Sequence, residues 1–155
     1  MYWRQTRQEF TALHGELNHQ AMKSLVDAGQ VPGIIAYDGG TPVGWCSIGP
    51  RIDFSTLARS RIFKPVDDQP VWSVVCFFVT RGHRRKGLTV QLIKAAVDYA
   101  ASKGAKIIEG YPVEPKDEKA PDVFMYTGLL STFKQAGFTE VLRRSATRPI
   151  MRYTL

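Results

Sequence analysis

Residues 71–79 read VWSVVCFFV, an apolar run in which only Ser73 is clearly polar. Its β-branched and aromatic content fits a central strand covered on both faces. After TRGHRRKG the period changes. Leu88, Leu92, Ala95, Ala96, Tyr99 and Ala100 fall on one face of a helix, which Gly104 stops. Ile107 and Ile108 then resume a strand. Two strands joined by a crossover helix form a right-handed unit with parallel or nearly parallel strands.

The flanking segments extend this α/β pattern. Phe10, Leu13, Leu17, Ala21, Leu25 and Ala28 recur at threes and fours across residues 4–29. That spacing predicts helix, divided near Gly15 and Asn18, with its apolar face in the core. Residues 34–37 and 43–48 predict two strands joined by a hairpin at Asp38-Gly39-Gly40. Residues 51–69 have no clean period beyond a short helix near Leu57. Residues 112–122 are rich in proline and charge and predict a loop. Residues 124–136 predict a second helix, stopped by Gly137, and residues 138–142 and 149–153 a closing pair of strands.

Composition bounds the partners. At 155 residues the chain predicts a single domain over residues 1–155 with room for a real core. No apolar run has the length of a membrane span, and the N-terminus lacks a secretory apolar core. These features predict a cytoplasmic protein with no membrane partner, in which Cys46 and Cys76 are buried reduced thiols rather than a disulfide. His14 and His19 are five apart and share no helix face, so no metal is expected. Twenty-one Lys and Arg stand against 14 acids, a formal net charge of +7. This favours polyanionic ligands, either a phosphorylated cofactor or nucleic acid. The basic residues are scattered apart from 81–86 and 143–144, and no nucleic-acid motif accompanies them, so nucleic acid is the weaker expectation.

The start of the central helix carries the chemistry. A helix leaves its first four N–H groups unpaired, and Ser, Thr, Asp or Asn normally caps them. Here His83, Arg84, Arg85, Lys86 and Gly87 enter the helix. None is a good cap, and cations are disfavoured at the positive end of the helix dipole. A docked phosphate resolves both conflicts, and Gly87 lets it approach the backbone. The string from Gly82 to Thr89 approaches a nucleotide P-loop, but Leu88 stands where that motif needs lysine. A dinucleotide G-x-G-x-x-G string is absent.

Arg84-Arg85-Lys86-Gly87-Leu88-Thr89 instead resembles the R/Q-x-x-G-x-G/A signature of the GNAT acyltransferase superfamily, with Thr89 in place of Gly or Ala. The strand before it, the helix after it and the strand that follows are similar as well. The resemblance covers most of the chain from about Gly33 onward. It implies a mixed, twisted, mostly antiparallel sheet with a central splayed parallel strand pair, flanked by helices. It also implies an N-acetyltransferase that takes acetyl-CoA and an amine acceptor as partners. Residues 84–89 would hold the phosphates, and Phe78 and Val79 would hold the pantetheine arm and polarise the thioester. By the same analogy Arg51, Asp67 and Asp68 border the acceptor. The oligomeric state stays open, a homodimer included.

Carboxylates and tyrosines are the candidates for proton transfer. Glu109 alternates onto one strand face with Ile107 and Tyr111 next to the splay, which makes it the expected base, with Asp67 and Asp68 as second choices. The family's second segment, N-x-x-A-x-x-x-Y-x-x-x-G-F, matches outright only at Gly137-Phe138. Phe133 stands at the tyrosine position and cannot donate a proton, which leaves Tyr126 and Tyr111 as candidate acids. It also leaves two alternatives to an enzyme: a coenzyme A-binding protein without catalysis, and a basic nucleic-acid-binding module.

Overall fold

The computed structural model of the protein describes residues 1–115 and 125–155. A capping box opens the first helix, α1 (Arg7–Ala12): Glu9 N–H donates to Thr6 Oγ1 at 3.0 Å, and Thr6 N–H donates to Glu9 Oε2 at 2.6 Å. Gly15 separates it from α2 (Glu16–Asp27). A hairpin of β1 (Gly33–Asp38) and β2 (Thr41–Pro50) follows, then the short helix α3 (Ser55–Arg59). The central unit is β3 (Trp72–Val79), α4 (Leu88–Ser102) and β4 (Ile107–Gly110). Helix α5 (Leu130–Gln135) leads to β5 (Thr139–Arg143) and β6 (Pro149–Thr154).

The strands form one six-stranded sheet in the order β1-β2-β3-β4-β6-β5. Its pairs are antiparallel except β3 with β4, which are parallel. The mixed, mostly antiparallel sheet with one central parallel pair is the architecture expected. Two clusters bury its two faces. On one face, Val74, Ile108 and Met151 pack with Leu92, Ile93 and Ala96 of α4 and Phe133 of α5. On the other, Val75, Tyr111 and Ile150 pack with Trp3, Phe54, Leu57 and Phe63. Among the described residues no helix is long and apolar enough to cross a membrane.

Three local expectations are corrected. The amphipathic face of residues 4–29 does not join the core, since neither α1 nor α2 buries a residue and Leu17 and Val26 are exposed. The sheet face they could cover is already taken by Trp3 and residues 54–63, so Phe10 and Met22 line a cavity instead. The inner face of α4 is carried by Ile93 and Val97 with Leu92, Ala96 and Ala100, while Ala95 is exposed. The second helix begins at Leu130 rather than at 124, because Gly128 has φ +86° and Leu129 is extended. Residues 116–124 of the predicted loop and helix lie outside the described residues.

Candidate active site

The turn between β3 and α4 is wound so that the helix starts bare. Arg85 has φ 58° and Gly87 has φ 78°, both left-handed, so the backbone reverses sharply before Leu88. Gly87 is the N-cap, and no side chain caps the helix or places an acid in its first turn. The Leu88 and Thr89 amides meet no acceptor among the described residues. A Cβ on Gly87 would meet nothing within 4 Å, so space lies over the turn. Arg81, Arg84, Arg85 and Lys86 are exposed around it. His83 pins the turn: Nδ1 lies 2.8 Å from Thr80 Oγ1, and Nε2 lies 3.0 Å from Asp38 Oδ2 on the β1–β2 hairpin. Bare amides and a dipole end, with exposed cations beside them, are the chemistry that favours an anion.

Beside this turn the sheet opens. The parallel register runs Trp72↔Ile108, Ser73↔Glu109 and Val74↔Gly110 and then ends, while β3 continues to Val79. The chain around Tyr126 to Leu130 enters between the parted strands. Phe77 N–H donates to the Tyr126 carbonyl at 2.6 Å, and Val113 N–H donates to the Gly128 carbonyl at 2.9 Å. On its other edge β3 carries a bulge. Ser47 pairs with Cys76 and Ile48 with Val74, which skips Val75. Val75 and Cys76 therefore both face the second cluster, and Phe77 returns to the first. Thr80 N–H bonds Val43 on β2, so alternation turns the Phe78 amide to β2 and the Val79 amide to the open edge. The Val79 carbonyl, on that same edge, accepts from Arg84 Nε at 3.0 Å. Phe78 offers its side chain, 57% exposed.

Four of the residues predicted for chemistry or acceptor binding meet in one network below the splay, buried at Glu109 and Tyr111 and exposed at Asp67. Glu109 is 1% exposed, and its oxygens accept from Arg152 Nε at 2.9 Å and from the Tyr111 hydroxyl at 2.8 Å. Arg51 donates to the Tyr111 hydroxyl at 2.6 Å and lies 3.5 Å from Glu109 Oε2. Ser73 Oγ is 2.9 Å from the same hydroxyl. Arg152 reaches outward to hold Asp67 bidentately at 2.6 and 2.8 Å. That guanidinium holds the Asp67 carboxyl down at about 2, while burial, then the Glu109 charge, pushes the Tyr111 phenol up. Two arginines thus face two carboxylates in the network. Asp68 stands apart, exposed and without a side-chain bond among the described residues.

Tyr126 is separate from this network. It is 37% exposed and lines a cavity of about 320 Å³ with Trp3, Phe10, Trp45 and Cys76. Burial, then nearby Tyr2, raises its phenol above the ordinary value, so it stays protonated. Cys46 is fully buried, but Cys76 is only partly so and reaches the cavity. Sequence reasoning missed Ser73, Arg152, Trp3 and Trp45. Ser73 had a signal as the one clearly polar residue in an apolar strand; the others had none without the fold.

A comparison with curated proteins finds no match. Among solved structures, aminoglycoside acetyltransferase AAC(6')-Ib in complex with coenzyme A and kanamycin aligns with TM-score 0.58 at 19% identity, covering 89% of this chain and 74% of that one. The ribosomal-protein-alanine N-acetyltransferase from Brucella melitensis aligns with TM-score 0.53 at 18% identity, covering 90% and 78%. The GNAT domain of S. lividans PAT aligns with TM-score 0.51 at 16% identity, covering 79% of this chain; this chain spans 60% of that one. At these identities the likeness is one of fold. Membership rests on sequence: the model of the Acetyltransferase (GNAT) family matches residues 1–126, and the chain belongs to that family.

Proposed function

We propose that the protein transfers the acetyl group of acetyl-CoA to a primary amine by direct attack within a ternary complex. The observation that carries this reading is the uncapped, acid-free, cationic start of α4 beside the open edge of β3. In this reading Arg84, Arg85, Lys86, Gly87, Leu88 and Thr89 hold the phosphates of acetyl-CoA, and the Phe78 side chain and Val79 backbone hold its pantetheine arm. Acetyl-CoA supplies an acyl group on a thiol, a tolerable leaving group with a pKa near 8.5.

The chain's own groups do the rest. The Val79 N–H, facing the open edge, polarises the thioester carbonyl. The amine enters through the aromatic cavity, where desolvation disfavours its ammonium form and releases its proton to solvent. The C–N bond forms as the C–S bond breaks. The Tyr126 phenol, kept protonated by burial, gives its proton to the departing sulfur, and the proton that the new amide nitrogen sheds returns through water to the phenolate. Glu109, Tyr111, Arg51 and Asp67 act by position, tying residues 51–67 to β4 and β6 under the site.

The test is thermal melting with acetyl-CoA, followed by thiol release with an amine panel. Ligand at about a hundred times its Kd adds about 2.7 kcal/mol, a shift of a few degrees at this size. No shift at millimolar ligand removes the reading. Phe133, fully buried at the family's tyrosine position, favours a second reading, coenzyme A binding without turnover. A melting shift with no thiol release across the panel selects it.

A further inference from the structure

The cavity that ends at Cys76 and Tyr126 is built for a particular kind of guest. Its floor is the sheet at the bulge, where Ser47 and Cys76 pair across β2 and β3. Its walls are aromatic: Tyr2, Trp3, Phe10, Trp45 and Tyr126, with Met22 from α2. The rings brace one another. Tyr2 meets Trp3 edge-on at 5.5 Å and Phe10 edge-on at 5.6 Å, and Trp3 lies 6.3 Å from Tyr126. Such a wall is set before a ligand arrives.

Of the polar side chains in the lining, Ser47 and the outer nitrogens of Arg4 are engaged, whereas Trp3 Nε1 and Arg4 Nε are buried without a partner among the described residues. Ser47 Oγ donates to the Pro32 carbonyl at 3.2 Å. Arg4 lies 3.5 Å from Asp53 and sits over the Phe54 ring at 4.6 Å. No Asp or Glu lines the cavity among the described residues. A polycation would leave water there without a counter-ion and would meet Arg4. A body with an aromatic ring would lose no hydrogen bond and would stack. At about 320 Å³ the cavity lies at the small end of ligand sites, which favours a small molecule over a polymer end.

We infer that the cavity binds a small monoamine with an aromatic body, its ring among Trp3, Phe10 and Trp45 and its amine toward Cys76 and Tyr126. That this guest is the acetyl acceptor rests on the proposed function; that it binds does not. The orientation follows from position, because Cys76 adjoins Phe77, whose N–H meets the Tyr126 carbonyl where the strands part.

Binding and turnover are read separately. Cys76 reaches the cavity while Cys46 is fully buried, so labelling by the thiol-selective reagent methyl methanethiosulfonate, followed by mass spectrometry, reports occupancy of the cavity. Burial raises the Cys76 thiol, so labelling is run at alkaline pH. 2-Phenylethylamine is expected to protect Cys76 at concentrations at least about tenfold lower than spermidine or kanamycin, a difference of about 1.4 kcal/mol. Met22→Glu, on a helix that buries no residue, gives the cavity a carboxylate and is expected to close that gap. Equal or better protection by spermidine or kanamycin overturns the inference, as does no protection by 2-phenylethylamine at millimolar concentration. Thiol release from acetyl-CoA is measured in parallel. Protection without release keeps the cavity assignment and removes acetyl transfer. Release with spermidine or a peptide amine, without protection by 2-phenylethylamine, keeps acetyl transfer and overturns the monoamine.

Discussion

The ring of Phe133 lies where a side chain on residue 110 would go: a Cβ on Gly110 would stand 2.0 Å from Phe133 Cε1. Gly110 is the last residue of β4 in register with β3, opposite Val74. A Cβ on Gly128 would meet the same ring at 2.9 Å. Phe133 is thus seated between two glycines at the point where the strands part. Gly110→Ala is expected to displace the ring, with an overpacking cost of about 1–3 kcal/mol and a Tm several degrees lower. An unchanged melting curve would mean that the ring does not hold this corner.

Gly87 separates backbone strain from ligand repulsion. Its φ of 78° suits glycine, yet a Cβ there would touch nothing within 4 Å. Gly87→Ala is therefore a strain control, costing about 1 kcal/mol of stability. Gly87→Glu adds a negative charge where the phosphates are proposed to sit. It is expected to weaken acetyl-CoA binding by about tenfold or more beyond the alanine variant, that is by at least about 1.4 kcal/mol, at similar stability. Titration calorimetry on both variants checks this. Equal affinities would move the phosphate site away from the turn.

As an anchor, Glu109 fails differently from a base. Glu109→Gln leaves Arg51 and Arg152 facing a neutral group in a nearly sealed site, and breaking such a pair costs about 3–5 kcal/mol. Urea unfolding should register that loss. Intact stability with a large drop in kcat would instead make Glu109 the base. Asp67 tests the outer end of the network through pH. Its carboxyl is lowered from 3.8 to about 2, so the stability it adds is fully present above its unfolded value and is lost as pH falls through about 2. The Tm gap between wild type and Asp67→Asn should hold steady from neutral pH to about 4 and close toward pH 2.

The strand–turn–helix unit was legible because its signals are local: an apolar run, a cationic turn and a helical period lie within one stretch of chain. The network was half legible. Glu109 and Tyr111 declare themselves two residues apart on one strand, and Arg51 and Asp67 were reached by family analogy. Arg152, which joins Glu109 to Asp67, lies 43 residues from one and 85 from the other, and no pattern in sequence carries such a link. The face of Phe10 and Leu17 misled for a different reason. Amphipathic spacing says that a face is apolar, not whether it meets the core or a cavity. Only the claim of Trp3 and Phe63 on the sheet decides that.

Tyr126 carries the last prediction. Phe133 has no proton to give, while Tyr126 reaches the cavity and accepts from Phe77 N–H through its carbonyl at 2.6 Å. That bond fixes its backbone at the parted strands whatever its side chain is, so Tyr126→Phe should fold and bind acetyl-CoA normally. A general acid is worth about 100-fold to 10,000-fold, and an easily expelled thiol places this case at the lower end. A fall in kcat of roughly 100-fold with unchanged KM for acetyl-CoA is expected. Because the phenol is raised above the ordinary 10.0, wild-type kcat should hold on the alkaline side until above that value, where the acid form is lost. In Tyr126→Phe that alkaline decline should disappear. A variant that keeps full kcat would show that the thiolate leaves unaided.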